Sequence, residues 1–218
     1  MVPGWRSPAR PARVAHDGGW TRLEPLTLDR HGDELFAALC GASNDDLWTY
    51  IPLGPFAARA EFDDVMTIVD ADDGFDMFAV IVDGHAVGVV AFLRCDPAAG
   101  SIEIGFVVFA RSLQRTAAAT EVVYLLAREV FDLGYRRFEW KCDALNEPSR
   151  RAASRFGFTY EGTFRQATVV KGRNRDTAWF SMLDSEWVDL RSEYERWLGP
   201  ENFDASGSQR TRLGNERR

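Results

Sequence analysis

The segment RSLQRTAAATEV (111–122) joins an apolar run to a longer run without Gly or Pro. A helix that starts here with small side chains would present unpaired backbone N–H groups at the positive end of its dipole. Because small side chains leave these groups open to close approach, the segment predicts a phosphate-binding loop. The alternative is that the alanines are only good helix formers. The loop comprises Gln114, Arg115, Thr116, Ala117, Ala118, Ala119 and Thr120.

Glu103 is the sole carboxylate within the apolar run SIEIGFVVF (101–109). A charged residue in such a run is seldom fully buried without a partner or a water. In a partly desolvated cleft its pKa would rise, and it could act as a general base, directly or through a water. The alternative is a strand residue that faces solvent or pairs with an arginine.

Asn146-Glu-Pro148 has the pattern of a helix start, with proline in the first turn. Asn146 could therefore serve only as the N-cap of this helix, and Ser149 could likewise satisfy backbone amides of the first turn.

Cysteine and histidine are scarce and widely spaced, which gives little support to metal sites or Ser-His-Asp chemistry. A disulfide framework is equally unsupported, so we expect small buried thiols and a cytoplasmic protein. These residues are Cys40, Cys95, Cys142, His16, His31 and His85.

The 218 residues are 45% hydrophobic and 27% charged, with a net charge of −7. Four arginines and one acidic residue fall in each of 1–22 and 205–218, so the stretch between them is strongly acidic. An acidic body argues against nucleic acid as a partner. No uncharged apolar run reaches about 18 residues, so no membrane span or export leader is expected. We expect residues 1–20 and 205–218 to be disordered basic arms.

The chemistry-bearing segments need elements to position them. Hydrophobic spacing predicts a strand at 21–28, a helix capped by Asp29, an aromatic loop at 48–56 and a helix at 57–70. Three apolar runs separated by turn signals then predict an antiparallel meander over 77–109. The rest of the body reads as a helix over 114–133, a strand over 136–144, a helix closed by Gly157, a hairpin over 158–183 and a terminal helix over 188–198.

At these residues the chain resembles the GNAT acyltransferase superfamily, and within it the Rim-type branch of ribosomal-protein alanine acetyltransferases. The loop resembles that family's Gln/Arg-x-x-Gly-x-Gly/Ala pattern, although Ala117 stands where the family usually has Gly. Ile102-Glu-Ile-Gly-Phe106 resembles its fourth strand. Asn146-Glu-Pro-Ser149, with Phe156-Gly-Phe158, resembles the segment after its fifth strand. The resemblance covers residues 21–187.

The resemblance implies a single α/β (α+β) domain with a mixed central sheet of about seven strands and flanking helices. It also implies that the parallel strand-helix-strand unit is splayed at one end. Residues 188–204 would be a terminal helix or tail.

The implied activity is acetyl transfer from acetyl-CoA to a primary amine, by direct attack in a ternary complex and without a metal. By resemblance, the pantetheine arm would lie along the backbone of Phe106, Val107 and Val108, and Asn146 and Ser149 would approach the arm and its thiol. Glu103 would accept the proton of the amine. The family's usual tyrosine acid aligns with Ala153, which leaves Ser149 or a water for that role. The alternative is a CoA-binding sensor or scaffold without activity.

The acceptor side carries an acidic run, EFDDVMTIVDADDGFD (61–76), which has no basic residue. Such a run is usually a solvated helix face, but at the acceptor cleft it would favour a cationic acceptor. Trp48 and Tyr50 could form an apolar wall of this cleft or anchor the loop in the core. A monomer and a homodimer are both compatible with the sequence.

Overall fold

The structure, a computed structural model, describes residues 4–214. The strands are β1 (His16–Asp17), β2 (Arg22–Pro25), β3 (Phe75–Val82), β4 (His85–Asp96), β5 (Ser101–Phe109), β6 (Arg137–Asp143), β7 (Thr159–Val170) and β8 (Arg173–Leu183). The helices are α1 (Leu28–Leu39), α2 (Arg59–Asp70), α3 (Ala117–Asp132), α4 (Glu147–Arg155) and α5 (Asp184–Leu198), with short 3₁₀ turns at Asp45–Trp48 and Pro200–Asn202.

All eight strands form one mixed sheet in the order β1-β2-β3-β4-β5-β6-β8-β7. The β5–β6 pair is parallel and is connected by α3, while the other neighbours are antiparallel. The predicted fold class, the meander and the parallel unit are therefore confirmed. The sheet has one strand more than the seven expected, because the short strand β1 pairs with β2.

The sheet separates two hydrophobic cores. Alternate residues of β3 point to opposite faces of the sheet and so belong to different cores. Phe78 and Val80 belong to the core under α3 and α5, whereas Met77 and Ala79 pack with α1 and α2. Because helices cover both faces of β3, nearly all of its residues are apolar. We call the two sides the α3 face and the α1 face. On the α1 face, α1 and α2 contribute to a core with β3, β4 and β5, and no buried residue of β6, β7 or β8 among residues 4–214 joins it.

Helix starts follow local capping chemistry, with one correction to the prediction. Helix α1 begins after Thr27, so Asp29 lies in its first turn and not at the cap. An acidic side chain in the first turn still interacts favourably with the helix dipole. Thr116 caps α3 and Asn146 caps α4 through their side chains.

Both terminal segments, predicted to be disordered, make contacts with the body where the structure describes them. Glu121 on α3 accepts hydrogen bonds from the backbone of Gly19, Trp20 and Thr21 at 2.7–2.9 Å. At the other end, the Trp197 indole donates to Gln209, and Leu213 is buried. Residues 1–3 and 215–218 lie outside the described part of the chain.

Candidate active site

Strands β5 and β6 separate halfway along their length. Ser101–Ile104 pair with Arg137–Trp140, but beyond this point β5 pairs only with β4 and β6 only with β8. A slot therefore opens between the backbones of 105–109 and 141–143. Parallel strands that part in this way leave backbone donors and acceptors free for an extended ligand. This is the splay that the resemblance implies.

A bulge in β5 lies at the start of the slot. Gly105 pairs with Ala91 and Val108 with Val89, so Phe106 and Val107 have no partner position on β4. Phe106 has a φ of +49°, a value that is uncommon for a residue other than glycine. The bulge leaves the backbone of two predicted pantetheine contacts, Phe106 and Val107, outside the β4 ladder. The third, Val108, returns to that ladder.

The loop before α3 presents a row of open amides. Its Thr116 hydroxyl accepts a hydrogen bond from the Ala119 amide at 3.1 Å, and the Gln114 side chain donates to the Phe109 carbonyl at 2.9 Å. Among residues 4–214, no acceptor binds the N–H groups of 115–118. Ala117 and Ala118 add only methyl groups at this helix start. Four open amides at the positive end of a sixteen-residue helix suit a diphosphate.

The two predicted residues of the α4 start have local partners. Asn146 accepts a hydrogen bond from the Ser149 amide at 3.1 Å, as its alternative role of N-cap requires. The Ser149 hydroxyl accepts from the Trp140 indole at 3.0 Å. The Asn146 and Ser149 side chains thus lie at the start of α4, a few residues after the end of β6.

Cys142 lies on β6 within the slot and is buried. Burial raises the pKa of its thiol, and this effect outweighs the opposing hydrogen bond from Ser149 and the charges of Arg175 and Arg150. A thiol with a raised pKa is a poor nucleophile at neutral pH.

Glu103 is 3% exposed and takes part in two ion pairs. Arg94 approaches its carboxylate at 2.7 Å and Lys141 at 2.8 Å. Lys141 also lies 2.8 Å from Glu139 and 3.8 Å from the centre of the Trp179 ring. The arginine partner that the sequence allows as an alternative is thus present, and a second cation, Lys141, lies beside it.

The same network continues along β6. Burial works to raise the pKa of Glu139, but hydrogen bonds from Arg137 and Lys141 outweigh it and lower that pKa. Arg137 also pairs with Glu161 of β7 at 2.5 Å. Within residues 4–214, no three His, Cys, Asp or Glu side chains are grouped to hold a metal ion. No helix of this range is long and apolar enough to cross a membrane.

The aromatic loop between α1 and α2 spans the slot on the α1 face. Trp48 is fully buried, donates to the Leu39 carbonyl at 2.8 Å, and packs edge-on against Phe106. It is therefore a core anchor. Tyr50 donates to the Leu145 carbonyl at 3.1 Å, and Lys171 at the β7–β8 turn donates to the Trp48 carbonyl at 2.8 Å. These bonds join the loop to the β6–α4 connection and to the β7–β8 turn, both of which lie across the slot from β5.

The acidic run 61–76 is partly neutralised by arginines. Asp63 pairs with Arg59 at 2.7 Å, and Asp70 pairs with Arg13. Arg10 pairs with Asp76 at 3.4 Å and donates to the Asp73 carbonyl at 2.7 Å. The basic N-terminal segment and the acidic run thus partner each other, and the run offers less free charge to an acceptor than its sequence suggests.

Lys141, which is not among the predicted site residues, lies at the opening of the slot. A signal was present, because the charged residues Arg137, Glu139 and Lys141 alternate with the apolar residues Phe138 and Trp140. Such alternation predicts a strand with one polar face. It could not show which carboxylates on neighbouring strands these cations meet.

Comparison with known proteins agrees with this geometry. Residues 21–159 match the family described as acetyltransferase (GNAT) domain. The crystal structure of a GCN5-related N-acetyltransferase from Brucella melitensis superposes with a TM-score of 0.95 at 48% identity, over 97% of each chain. The uncharacterized N-acetyltransferase p20 of Bacillus licheniformis is 26% identical over 76% of this chain and 96% of its own. The ribosomal-protein-serine acetyltransferase of Escherichia coli is 29% identical over 50% of this chain and 62% of its own. This chain belongs to the GNAT acetyltransferase family.

Proposed function

We propose that the protein transfers the acetyl group of acetyl-CoA to a primary amine, which attacks the thioester directly within a ternary complex. The observation that carries this proposal is the slot between β5 and β6, which opens beside the four free amides of 115–118. The slot suits the extended pantetheine arm, and the free amides suit the diphosphate. The slot and the amides are adjacent along the chain.

The residues fit acetyl-CoA in three places. The loop Gln114–Thr120 would hold the diphosphate through backbone amides. The bulged backbone of Phe106 and Val107, with Val108, would hydrogen-bond the pantetheine arm. Asn146 and Ser149 border the end of the slot through which the thiol would be reached. Bound acetyl-CoA would supply an activated acyl carbonyl.

The chain itself contributes position, polarisation and a proton acceptor. Backbone N–H groups at the bulge, fixed outside the β4 ladder, can stabilise negative charge on a carbonyl oxygen. Holding both reactants in one slot lowers the entropic part of the barrier. Glu103 is the proposed base and acts through a water, because it is nearly fully buried. Arg94 and Lys141 hold its carboxylate in position at 2.7 and 2.8 Å.

Direct transfer is favoured over a covalent acetyl-enzyme. Cys142 is the one cysteine within the slot, and burial raises its pKa. Its sulfur therefore stays protonated at neutral pH and cannot readily accept an acyl group.

A CoA-binding module without activity is the second candidate. It is favoured by Ala153, which is fully buried at the position where related enzymes often carry a tyrosine acid. No hydroxyl is available there to protonate a leaving thiolate.

The two candidates are separated by one pair of measurements. Calorimetry measures acetyl-CoA binding, while thiol release is followed across a panel of primary amines, with mass spectrometry of the products. Binding with amine-dependent thiol release and an N-acetylated product supports the transferase. Binding without turnover on any amine supports the module, and absence of binding contradicts both.

A further inference from the structure

The β7–β8 hairpin is basic in a protein whose net charge is −7. Its residues 162–175 include four cations and no carboxylate. Lys171 is used within the fold, because it donates to the Trp48 carbonyl at 2.8 Å and so joins the turn to the aromatic loop. The other three cations are Arg165, Arg173 and Arg175.

The alternation of β8 decides where two of these arginines lie. Ala178, Phe180 and Met182 are buried in the core of the α3 face. Because side chains of a strand alternate, Arg173 and Arg175 lie on the α1 face. This is the side where the aromatic loop meets the hairpin and where no helix of residues 4–214 packs on β8.

Arg175 is also close to the slot. Its neighbour Asp176 accepts a backbone hydrogen bond from Ala144 at 2.8 Å, just past the end of β6. Thr177, two residues further along β8, pairs with Asp143 at the end of β6, so Arg175 lies just past the end of that strand. An acceptor that reaches the slot from the α1 face would therefore pass Arg175.

Neither arginine is used by the fold. Among residues 4–214, no ion pair or side-chain hydrogen bond involves Arg173 or Arg175, and the Arg175 Nε is buried without an acceptor. Leaving a buried donor unsatisfied is unfavourable, and an anionic ligand would satisfy it. By contrast, Arg94, Lys141 and Arg137 on the same face are all paired with carboxylates.

An apolar surface lies on the same face of the hairpin, in a depression that Arg173 and Arg175 do not line. Phe164 pairs with Thr177 and is 58% exposed, and its ring centre lies 4.7 Å from that of Trp179. Together with Arg137, Glu161 and Gly162 they line a depression of about 260 Å³. This depression can hold a ring or an alkyl chain, and its charged lining residues, Arg137 and Glu161, pair with each other.

We propose that the acceptor is a small amine that carries a carboxylate or a phosphate, and that Arg175, assisted by Arg173, binds this anion. The inference rests on the proposed function and names its substrate class. It departs from the cationic acceptor expected from the acidic run, because Asp63, Asp70 and Asp76 are already paired with arginines. A guanidinium suits either anion through two parallel hydrogen bonds.

The test uses two matched pairs of amines with the full-length protein and acetyl-CoA. Phenylalanine is compared with phenylalaninamide, and O-phosphoethanolamine with ethanolamine, so that the two pairs distinguish carboxylate from phosphate. We expect the anionic member of at least one pair to have the higher kcat/KM. In Arg175→Gln, this preference should fall by about tenfold, equivalent to about 1.4 kcal/mol. Arg210→Gln, which removes the same charge from the C-terminal segment, should leave the preference unchanged.

A binding measurement makes the result independent of turnover. Calorimetry with N-acetylphenylalanine and its amide, in the presence of CoA, should show tighter binding of the acid and loss of this difference in Arg175→Gln. If amines are acetylated without preference for the anion, or if Arg175→Gln affects both members equally, the anion site is wrong and the transferase stands. If no amine is acetylated but the binding difference depends on Arg175, the anion site stands and the transferase is wrong. Absence of both effects overturns the inference.

Discussion

The Lys141 ammonium lies 2.8 Å from the Glu103 carboxylate and joins β6 to β5 at the point where their pairing ends. Both side chains are nearly buried, with exposed fractions of 8% and 4%. Lys141 is the first residue of β6 beyond the last parallel pair, Ile104 with Trp140. The ion pair therefore replaces the backbone ladder at the mouth of the slot.

Removal of this ammonium should destabilise the protein. Lys141→Met keeps the aliphatic stem but leaves Glu103 and Glu139 as buried carboxylates with fewer partners. Breaking a buried pair from one side typically costs about 3 kcal/mol. Urea unfolding should show this loss, whereas Arg191→Met, which breaks exposed pairs with Glu195 and Asp132, should cost less than about 1 kcal/mol per pair. Equal losses in the two variants would mean that the Lys141 pair contributes no more than a surface pair.

The base assignment is tested by Glu103→Gln, which preserves shape and removes the basic oxygen. We expect turnover to fall by about 100-fold, with acetyl-CoA affinity nearly unchanged. Unfolding of the same variant is the control, because Glu103 also partners Arg94 and Lys141. Turnover at the level of the unsubstituted protein would restrict Glu103 to the structural role.

The diphosphate site is tested by a pair of substitutions at one position. Ala117→Glu places a carboxylate against the phosphates and should abolish acetyl-CoA binding. Ala117→Gly introduces the residue usual in related proteins and should retain binding. Calorimetry gives both affinities, and circular dichroism checks that α3 is intact. Unchanged affinity in a folded Ala117→Glu protein would contradict the assignment of the loop.

His16 should make stability depend on pH. Its ring is 7% exposed, and its Nε2 has no hydrogen-bond partner among residues 4–214. Burial lowers the pKa of His16 below its ordinary value of 6.5, with Glu129 partly opposing this effect. Below pH 6.5 the unfolded chain therefore binds more protons than the folded protein does. The free energy of unfolding should decrease as the pH falls below 6.5, and His16 should not reduce it above that pH.

The measurement is the free energy of unfolding at pH 7 and pH 5 for the unsubstituted protein and for His16→Leu. We expect a smaller decrease in the variant, which has no imidazole to protonate. An equal decrease in both proteins would show that other groups cause the acid sensitivity.

The sequence, with the family resemblance that its motifs carry, was sufficient for the fold class and for the order of the elements from β2 onward, but not for the short strand β1. Several elements depend only on the preferences of neighbouring residues, so local patterns predict them. These patterns are the alternating runs of the meander, the Gly- and Pro-free stretch of α3 and the Asn-x-x-Ser start of α4. For the same reason, the loop Gln114–Thr120 was found at a strand-to-helix junction. The predicted cap of α1, Asp29, lies two residues after the observed cap position, Thr27. Both residue types are good caps, so residue type alone does not decide between the two positions.

Tertiary structure alone decided the partners of the charged residues. Glu103 is one carboxylate in an apolar strand by sequence, but its environment is set by Arg94 and Lys141, which come from two other strands. The acidic run meets Arg10 and Arg13 from a segment more than fifty residues away. Electrostatic pairing depends on distances across the fold, and sequence spacing carries no information about those distances. The face of β8 that presents Arg173 and Arg175 was likewise fixed only when its alternate residues were buried under α3 and α5.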